Sequence, residues 1–182
     1  MSKSAHPPEM LVDAYNVIGA WLWLKELKNS ASLDRARREL IEAMTNFAHF
    51  HGYKTTLVFD AYNQATPAAV EKITKNLKLH YTDYRQTADT FIEKTCARLH
   101  RHPLRHLKRV IVVTSDRAQH TVTTGYGAEW MSAEALEQEV SIANRRIQRH
   151  QRPKTRAGDQ TLRHMLDRHT FETLDRMRKG LQ

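Results

Sequence analysis

The sequence predicts an α/β fold in which helices pack against a central, mostly parallel β-sheet. Three observations predict this class: short apolar runs typical of strands recur along the chain, amphipathic segments separate them, and an aspartate stands at or just after the end of several runs. Alternation of strands and helices is typical of βαβ units, whose crossover helices join parallel strands. A chain of 182 residues is long enough to bury one substantial core.

The first strand is predicted at residues 10–12, a short apolar run that ends in Asp13 and is followed by a turn-prone Asn16. Ser32 is a predicted N-cap, and apolar residues then recur at steps of three and four up to Gly52. This pattern predicts an amphipathic helix with a start signal and a glycine stop.

The second strand is predicted at residues 55–59, where β-branched and aromatic residues precede Asp60. Residues 67–76 carry a weak pattern and are predicted to form a loop or a short helix. Residues 77–82 predict a third strand. Thr87 then predicts the N-cap of a helix with one apolar face.

The clearest strand prediction is the run RVIVVT at residues 109–114, because a continuous apolar run is typical of a strand buried on both faces. Gly125 and Gly127 mark a turn after it. A short edge strand is predicted at Glu129–Met131, and Ser132 predicts the cap of a long helix.

Charge divides the chain into unequal parts. Residues 1–143 hold 18 Lys and Arg against 16 Asp and Glu, whereas residues 144–182 hold 11 against 4. We predict a flexible leader at 1–9, an α/β domain at 10–150, and a basic helical extension at 151–182 that packs on or near the domain. A basic segment of this kind suggests a polyanionic partner such as nucleic acid, and a solvated helix face is the alternative.

Composition excludes several classes of protein. The single cysteine, Cys96, excludes an internal disulfide framework and a cysteine-based zinc site, and fits a reducing compartment. Its helical apolar neighbours predict a buried side chain rather than a nucleophile. No apolar run is long enough to span a membrane, so we expect no membrane partner. We expect a cytoplasmic protein, with an organelle stroma left open if a transit peptide was removed.

Aspartates share one predicted location in the sheet. Asp13 ends the first strand, Asp60 the second, and Asp116 follows the strand at 109–114, while Asp89 lies in the first turn of the helix that Thr87 begins. The carboxyl ends of parallel strands form the crevice where ligands bind, and helix N-termini open onto the same crevice. We therefore expect the four carboxylates to converge.

Crowded carboxylates stay ionised at neutral pH only when a cation neutralises them. Mg²⁺ or Mn²⁺ suits this role, because hard cations prefer oxygen ligands. Such an ion activates water and offsets charge on a leaving oxygen, which predicts phosphodiester hydrolysis. Each aspartate also has a structural alternative as a helix cap or turn residue. The joint placement of all four favours the metal site.

Other catalytic signatures are absent from the sequence. It contains no Walker A loop, no G-x-G-x-x-G after the first strand and no G-x-S-x-G elbow, so we expect no small-molecule cofactor. Histidines at His100, His102 and His106 raise a zinc alternative. Their polar, proline-containing stretch has no carboxylate at ligand spacing, which favours solvated or nucleic-acid-facing histidines.

Several motifs in order resemble one known family. They are LVDAYNVIGAW at 11–21, VFDA at 58–61, TADTFIE at 87–93, VTSDR at 113–117, GYGA at 125–128 and SAEAL at 132–136. Together they resemble the YacP-type branch of the NYN domains, within the PIN-like nuclease superfamily, from Met10 to about Gly180. The resemblance implies a PIN-like three-layer domain at 10–150 and a metal-dependent endoribonuclease associated with ribosomes and messenger RNA.

The same resemblance implies roles for individual residues. Asp13 and Asp89 would be the principal catalytic acids, and Asp116 would complete the site for Mg²⁺ or Mn²⁺. Supporting roles would fall to Asn16, Asp60 and Ser115. The chain departs from the family pattern at Ala14, at Gln86 and in the loop after Asp60, and the last departure concerns substrate or ribosome contacts.

Basic side chains are the predicted RNA contacts, because single-stranded RNA is held by cationic grooves and aromatic faces. The candidates are Arg117, Arg145, Arg146, Arg149, Arg152 and Lys154. Trp21 and Trp23 stand close to the first acid, and packing explains them at least as well as base stacking. A non-catalytic RNA- or ribosome-binding module and a DNA-directed nuclease remain alternative functions.

Overall fold

The computed structural model of the protein describes residues 6–60 and 68–151. The described strands are β1 (Glu9–Asp13), β2 (Lys54–Phe59), β3 (Ala69–Lys72), β4 (Leu77–Tyr81), β5 (Val110–Val113) and β6 (Glu129–Met131). The described helices are α1 (Ala14–Ala20), α2 (Leu22–Ser30), α3 (Leu33–His51), α4 (Ala88–His100), α5 (Arg117–Gly125) and α6 (Ala133–Gln151). A 3₁₀ turn covers Arg105–Leu107.

All six described strands form one sheet in the order β3-β4-β2-β1-β5-β6. Every neighbouring pair is parallel except β3 with β4, which is antiparallel. The predicted mostly parallel sheet is therefore confirmed. Because five strands run the same way, the sheet has a carboxyl edge, where those strands end, and an amino edge, where they begin.

Alternating side chains of the strands supply two cores, one on each face of the sheet. Met10 and Val12 of β1 pack with buried residues of α1, α2, α3 and α6. Leu11 faces the other way and packs with Ile92 and Cys96 of α4. The strands are thus buried on both faces, as continuous apolar runs require. This arrangement confirms the predicted three-layer architecture.

Helix start and stop signals operate as predicted. Ser32 caps α3 by accepting a hydrogen bond from the Arg35 amide at 3.1 Å, and Gly52 ends the helix with a φ of 72°, where a side chain would be strained. Thr87 caps α4 and Ser132 caps α6 through their hydroxyl oxygens.

The structure corrects the prediction for residues 67–76. A loop or a short helix was expected there, but Ala69–Lys72 is a strand that pairs antiparallel with β4. All four residues of β3 are exposed, so no apolar pattern marks the strand in the sequence. Backbone pairing with the neighbouring strand places β3 in the sheet, a context that local sequence does not contain.

Three helices were missing from the sequence-based assignment. Asn16 was expected to mark a turn, yet α1 begins directly after β1, because the Asp13 carboxylate accepts a hydrogen bond from the Asn16 amide and caps the helix. Helix α2 follows α1 at once, and α5 begins after Asp116. These are short helices of seven to nine residues, which tertiary packing stabilises more than intrinsic propensity does.

The chain divides into a unit up to Ile147 and a second unit from Gln148, and the sheet lies in the first. Most of the predicted leader lies outside the described residues, and so does almost all of the predicted basic extension. Most of the loop after Asp60 also lies outside them. The predicted domain boundaries stay predictions. Within the described residues, no helix is long and apolar enough to cross a membrane.

Candidate active site

Four aspartates lie at the carboxyl edge of the sheet. Asp13 is the last residue of β1, Asp60 follows β2 directly, and Asp116 caps the helix after β5. Asp89 lies in the first turn of α4. Strand β1 runs between β2 and β5, so Asp13 stands between the ends of the two strands that precede the other acids. We call these four residues the acidic cluster.

The carboxylates of the acidic cluster are close enough for their charges to act on one another. Burial raises the pKa of the Asp13 carboxyl from 3.8 to about 6, and the hydrogen bond from the Asn16 amide opposes this rise. The negative charges of Asp89, Asp60 and Asp116 raise the pKa further. Keeping Asp13 ionised at neutral pH therefore costs free energy, and a nearby cation would offset that cost.

Asp89 experiences a similar environment. Burial raises the pKa of its carboxyl, and the charges of Asp116, Glu93 and Asp60 add to the rise. Glu93 is an acid that the sequence-based site did not include. Its spacing of four residues from Asp89 on one helix puts both on the same face, and this spacing was a usable signal.

Asp116 has a structural role in addition to its place in the cluster. Its Oδ1 accepts hydrogen bonds from the amides of Ala118 at 2.7 Å and Gln119 at 3.3 Å, so it caps α5. Its own amide donates to the Thr114 hydroxyl at 3.0 Å. The capping alternative raised by the sequence therefore holds for one carboxylate oxygen, and the cap orients the other.

Asn16 connects two loops of the site. Its side-chain Oδ1 accepts a hydrogen bond from the Ser115 amide at 2.9 Å, and its own amide donates to Asp13 at 3.1 Å. The residue thus links the end of β1 to the segment that carries Asp116. Asp60 is held by Thr82, whose hydroxyl lies 3.5 Å from its Oδ1.

The donor chemistry of the cluster fits a hard divalent cation. Within residues 6–60 and 68–151, no Lys or Arg forms an ion pair with a member of the cluster. In that same part of the chain, no three His, Cys, Asp or Glu side chains are placed closely enough to hold a metal ion together. Mg²⁺ usually takes one or two carboxylates and completes its shell with water and substrate phosphate, so the donor set still suits it. Joint ligation by Asp13, Asp89 and Asp116 stays a prediction.

The predicted RNA-binding arginines fall in different places. Arg117 is the exposed first residue of α5, beside Asp116. Burial lowers the pKa of His51, the charge of Glu139 opposes this change, and the charge of Arg146 lowers the pKa further. His51 ends α3 just before β2 begins, so Arg146 lies at the amino edge of the sheet. Arg145 and Arg149 are exposed on α6, and Arg152 and Lys154 lie outside the described residues.

Trp21 and Cys96 belong to the two cores, whereas Trp23 is partly exposed. Trp21 is fully buried, and its indole N–H donates to the Ala133 carbonyl at 2.7 Å, so packing explains it. Trp23 lies against it, with ring centroids 5.9 Å apart. Cys96 is buried as predicted, and burial raises the pKa of its thiol to about 11, which leaves it unreactive near neutral pH.

Comparison with known proteins assigns the family. The model of the YacP-like NYN domain matches residues 10–179. The chain belongs to this family. The YacP-like NYN assignment confirms the resemblance inferred from the motifs, and it covers nearly the whole chain.

Two kinds of relative extend this assignment. The chain is 33% identical over 173 residues to "Uncharacterized protein YacP" of Bacillus subtilis (strain 168), covering 94% of this chain and 96% of that protein. Two crystal structures of Rae1 (YacP) from Bacillus subtilis match with a TM-score of 0.66. One is 31% identical, and the match covers 94% of both chains. The other, of a point mutant, is 30% identical, and the match covers 92% of this chain and 98% of that one.

The family assignment gives the chain a nuclease-type, RNA-related role. NYN domains belong to the PIN-like nucleases, so the coarse function predicted from the aspartates and motifs is confirmed. The fold of the YacP-like NYN relatives also agrees with the mixed α/β layers described above.

Proposed function

We propose that this protein is a divalent-metal-dependent endoribonuclease that hydrolyses phosphodiester bonds in RNA. One observation carries the proposal: Asp13 is partly buried at the carboxyl edge, where Asp60, Asp89 and Asp116 also lie, and burial first and then their three charges raise the pKa of its carboxyl. Packing alone does not require four acids at one place without a cationic partner. We further propose messenger RNA associated with the ribosome as the substrate, and the cytoplasm as the compartment.

Of Asp13, Asp89 and Asp116, one or two would bind Mg²⁺ or Mn²⁺ directly and the remainder would act through its bound waters, with Asp60 adding negative charge nearby. The bound ion would lower the pKa of water and offset negative charge on the scissile phosphate. The side chain of Asn16 keeps the loop of Ser115 against α1, which holds Asp13 and Asp116 in register. Arg117, next to Asp116, would bind the phosphate backbone of the strand.

Cleavage by the purified full-length chain tests this proposal. The substrates are a free messenger and the same messenger bound to ribosomes, each with Mg²⁺, Mn²⁺ or a chelator. We expect cleavage with metal and none with chelator. Asp13→Asn and Asp89→Asn should lower the rate by at least about 100-fold while RNA affinity is retained.

Glu42→Gln provides the matched control, since it makes the same carboxylate-to-amide change on the exposed face of α3. It should cut like the parent. If the parent binds RNA but never cuts it with either ion, the non-catalytic RNA- or ribosome-binding module is correct. Equal cleavage of single-stranded DNA would instead support the DNA-directed alternative.

A further inference from the structure

A cavity of about 450 Å³ lies beside the acidic cluster, between α5 and β6. Asp116 forms part of its wall, so the cavity opens next to a proposed metal ligand. Its other walls include Arg117, His120 and Trp130. The volume lies within the range that small ligands occupy, which is roughly 300–1,000 Å³.

Trp130 presents a fixed aromatic surface in this cavity. It lies on the edge strand β6, and 43% of the residue is exposed. Its indole N–H donates to the Thr114 carbonyl at 2.8 Å, and its ring lies against His120 with centroids 4.5 Å apart at 32°. A ring held from two sides loses little further freedom when a ligand binds it. Sequence patterning identified the edge strand but not this function for its tryptophan.

Polar groups around the ring suit a nucleotide. Arg117 is exposed on the first turn of α5, and within the described part of the chain it forms no ion pair. Ser132 and Thr121 add hydroxyls, and Glu134 adds a carboxylate that accepts hydrogen bonds from base amino groups. An aromatic face next to a cation is the combination that binds the base and the phosphate of a single strand.

We propose that this cavity is a nucleotide-binding subsite for single-stranded RNA, in which a base stacks on Trp130 and a flanking phosphate binds Arg117. The strand then continues past Asp116 into the acidic cluster, so the subsite positions the scissile bond. This inference rests on the proposed function for the direction of the strand, but base binding at Trp130 is testable without catalysis. Stacking accepts every base, so the subsite holds the strand rather than reading its sequence.

Tryptophan fluorescence tests the contact directly. The chain has Trp21, Trp23 and Trp130, of which Trp21 is fully buried. In Trp23→Phe the exposed indole is therefore Trp130, and in Trp130→Phe it is Trp23. Both changes are made in the Asp89→Asn chain, to prevent cleavage. A short single-stranded RNA should quench the fluorescence of the Trp23→Phe protein and protect it from quenching by acrylamide. The fluorescence of the Trp130→Phe protein should not change. Quenching that is equal in both proteins, or absent from both, overturns the proposal.

Affinity and cleavage form the second test. Trp130→Ala should weaken binding of short single-stranded RNA by about 5- to 100-fold, the range for loss of one stacked base. Trp130→Phe should restore most of the affinity, and Trp130→Leu, which keeps an apolar side chain but no aromatic face, replaces the alanine variant if that protein does not fold. Trp23→Ala is the matched control and should bind like the parent.

The two hypotheses fail in different ways. If the parent cleaves RNA and Trp130→Ala binds and cleaves it equally well, the subsite is wrong and the nuclease proposal stands. If the parent cuts nothing but Trp130→Ala loses affinity, the subsite is correct and the nuclease proposal fails.

Discussion

The side chain of Asn16 accepts a hydrogen bond from the backbone amide of Ser115, which lies 99 positions later in the chain, at 2.9 Å. Asn16 also donates its own amide to the Asp13 carboxylate. One residue therefore joins the end of β1 to the loop after β5, and so relates two members of the acidic cluster. Small displacements of catalytic groups reduce rates strongly, which makes this contact a site for testing.

Asn16→Ala should lower the cleavage rate by at least about 10-fold, because the loop that carries Asp116 loses its link to α1. The free energy of unfolding should fall by about 1 kcal/mol, the usual cost of removing one hydrogen bond. Chemical denaturation and single-turnover cleavage measure the two effects. An alanine variant that cuts at the parent rate would show that the link does not position the acids.

Asn16→Asp separates the hydrogen bond from the charge. The carboxylate still accepts from Ser115, but it adds a negative charge to the cluster. We expect this variant to be less stable than the parent in chelator and to recover the difference with Mg²⁺. No recovery would mean that the cluster does not attract the ion.

The raised pKa of Asp13 predicts how stability depends on pH without metal. An aspartate with a pKa of 3.8 when unfolded and about 6 when folded binds its proton more tightly in the folded state. Its ionisation therefore weakens the fold as pH rises from about 4 to about 6, and the loss is complete above that window. The shift corresponds to at most about 3 kcal/mol, and the partial exposure of Asp13 reduces it to about 1–2 kcal/mol.

Asp13→Asn should remove this loss, because the amide still caps α1 and never ionises. The variant should be more stable than the parent in chelator, and its advantage should be clearly larger at pH 7.5 than at pH 4.5, as measured by urea denaturation. A stability difference that does not change across this range would show that Asp13 ionises normally.

Divalent ions should raise the melting temperature of the parent, since a ligand that binds only the folded state stabilises it. At ten times the dissociation constant the gain is about 1.4 kcal/mol. Asp13→Asn and Asp89→Asn should reduce the shift, whereas Glu42→Gln should retain it. Equal shifts in all four proteins would place the bound ion away from the acidic cluster.

The sheet was largely predictable because its strands carry their own signals. Residues 109–114 contain a continuous apolar run that needs burial on both faces, and residues 55–59 are rich in β-branched and aromatic residues, which favour a strand; both are properties of the sequence alone. The strand β3 has no such signal, since its four residues are exposed and only pairing with β4 defines it. Long-range backbone pairing is the part of this fold that local patterns omit.

The candidate site divides in the same way. The carboxyl ends of parallel strands meet at one edge, so the positions of Asp13, Asp60 and Asp116 followed from the strand assignments. Glu93 was missed although it lies one helical turn from Asp89 on α4, a spacing that was a usable signal. Trp130 was missed because its orientation depends on Thr114, a neighbour from outside β6 that local sequence does not reveal.

The basic residues on α6 lead to a last prediction about RNA length. Arg146 lies beside His51 at the amino edge, and the acidic cluster lies at the carboxyl edge. The two edges are separated by the length of β2, about 17 Å at roughly 3.3 Å per residue. An RNA that fills only the acidic cluster therefore does not reach Arg145 or Arg146, whereas a long transcript does.

Arg145→Glu/Arg146→Glu should weaken binding of a long transcript and make its salt dependence shallower, by about 0.7 in the log–log slope for each phosphate that the variant no longer binds. Binding and cleavage of a tetranucleotide should stay at the parent level. Arg35→Glu is the control, because it reverses one charge on an exposed face of α3. If the tetranucleotide loses as much affinity as the transcript, Arg145 and Arg146 act on the acidic cluster itself, and the separation of the two edges does not govern how RNA binds.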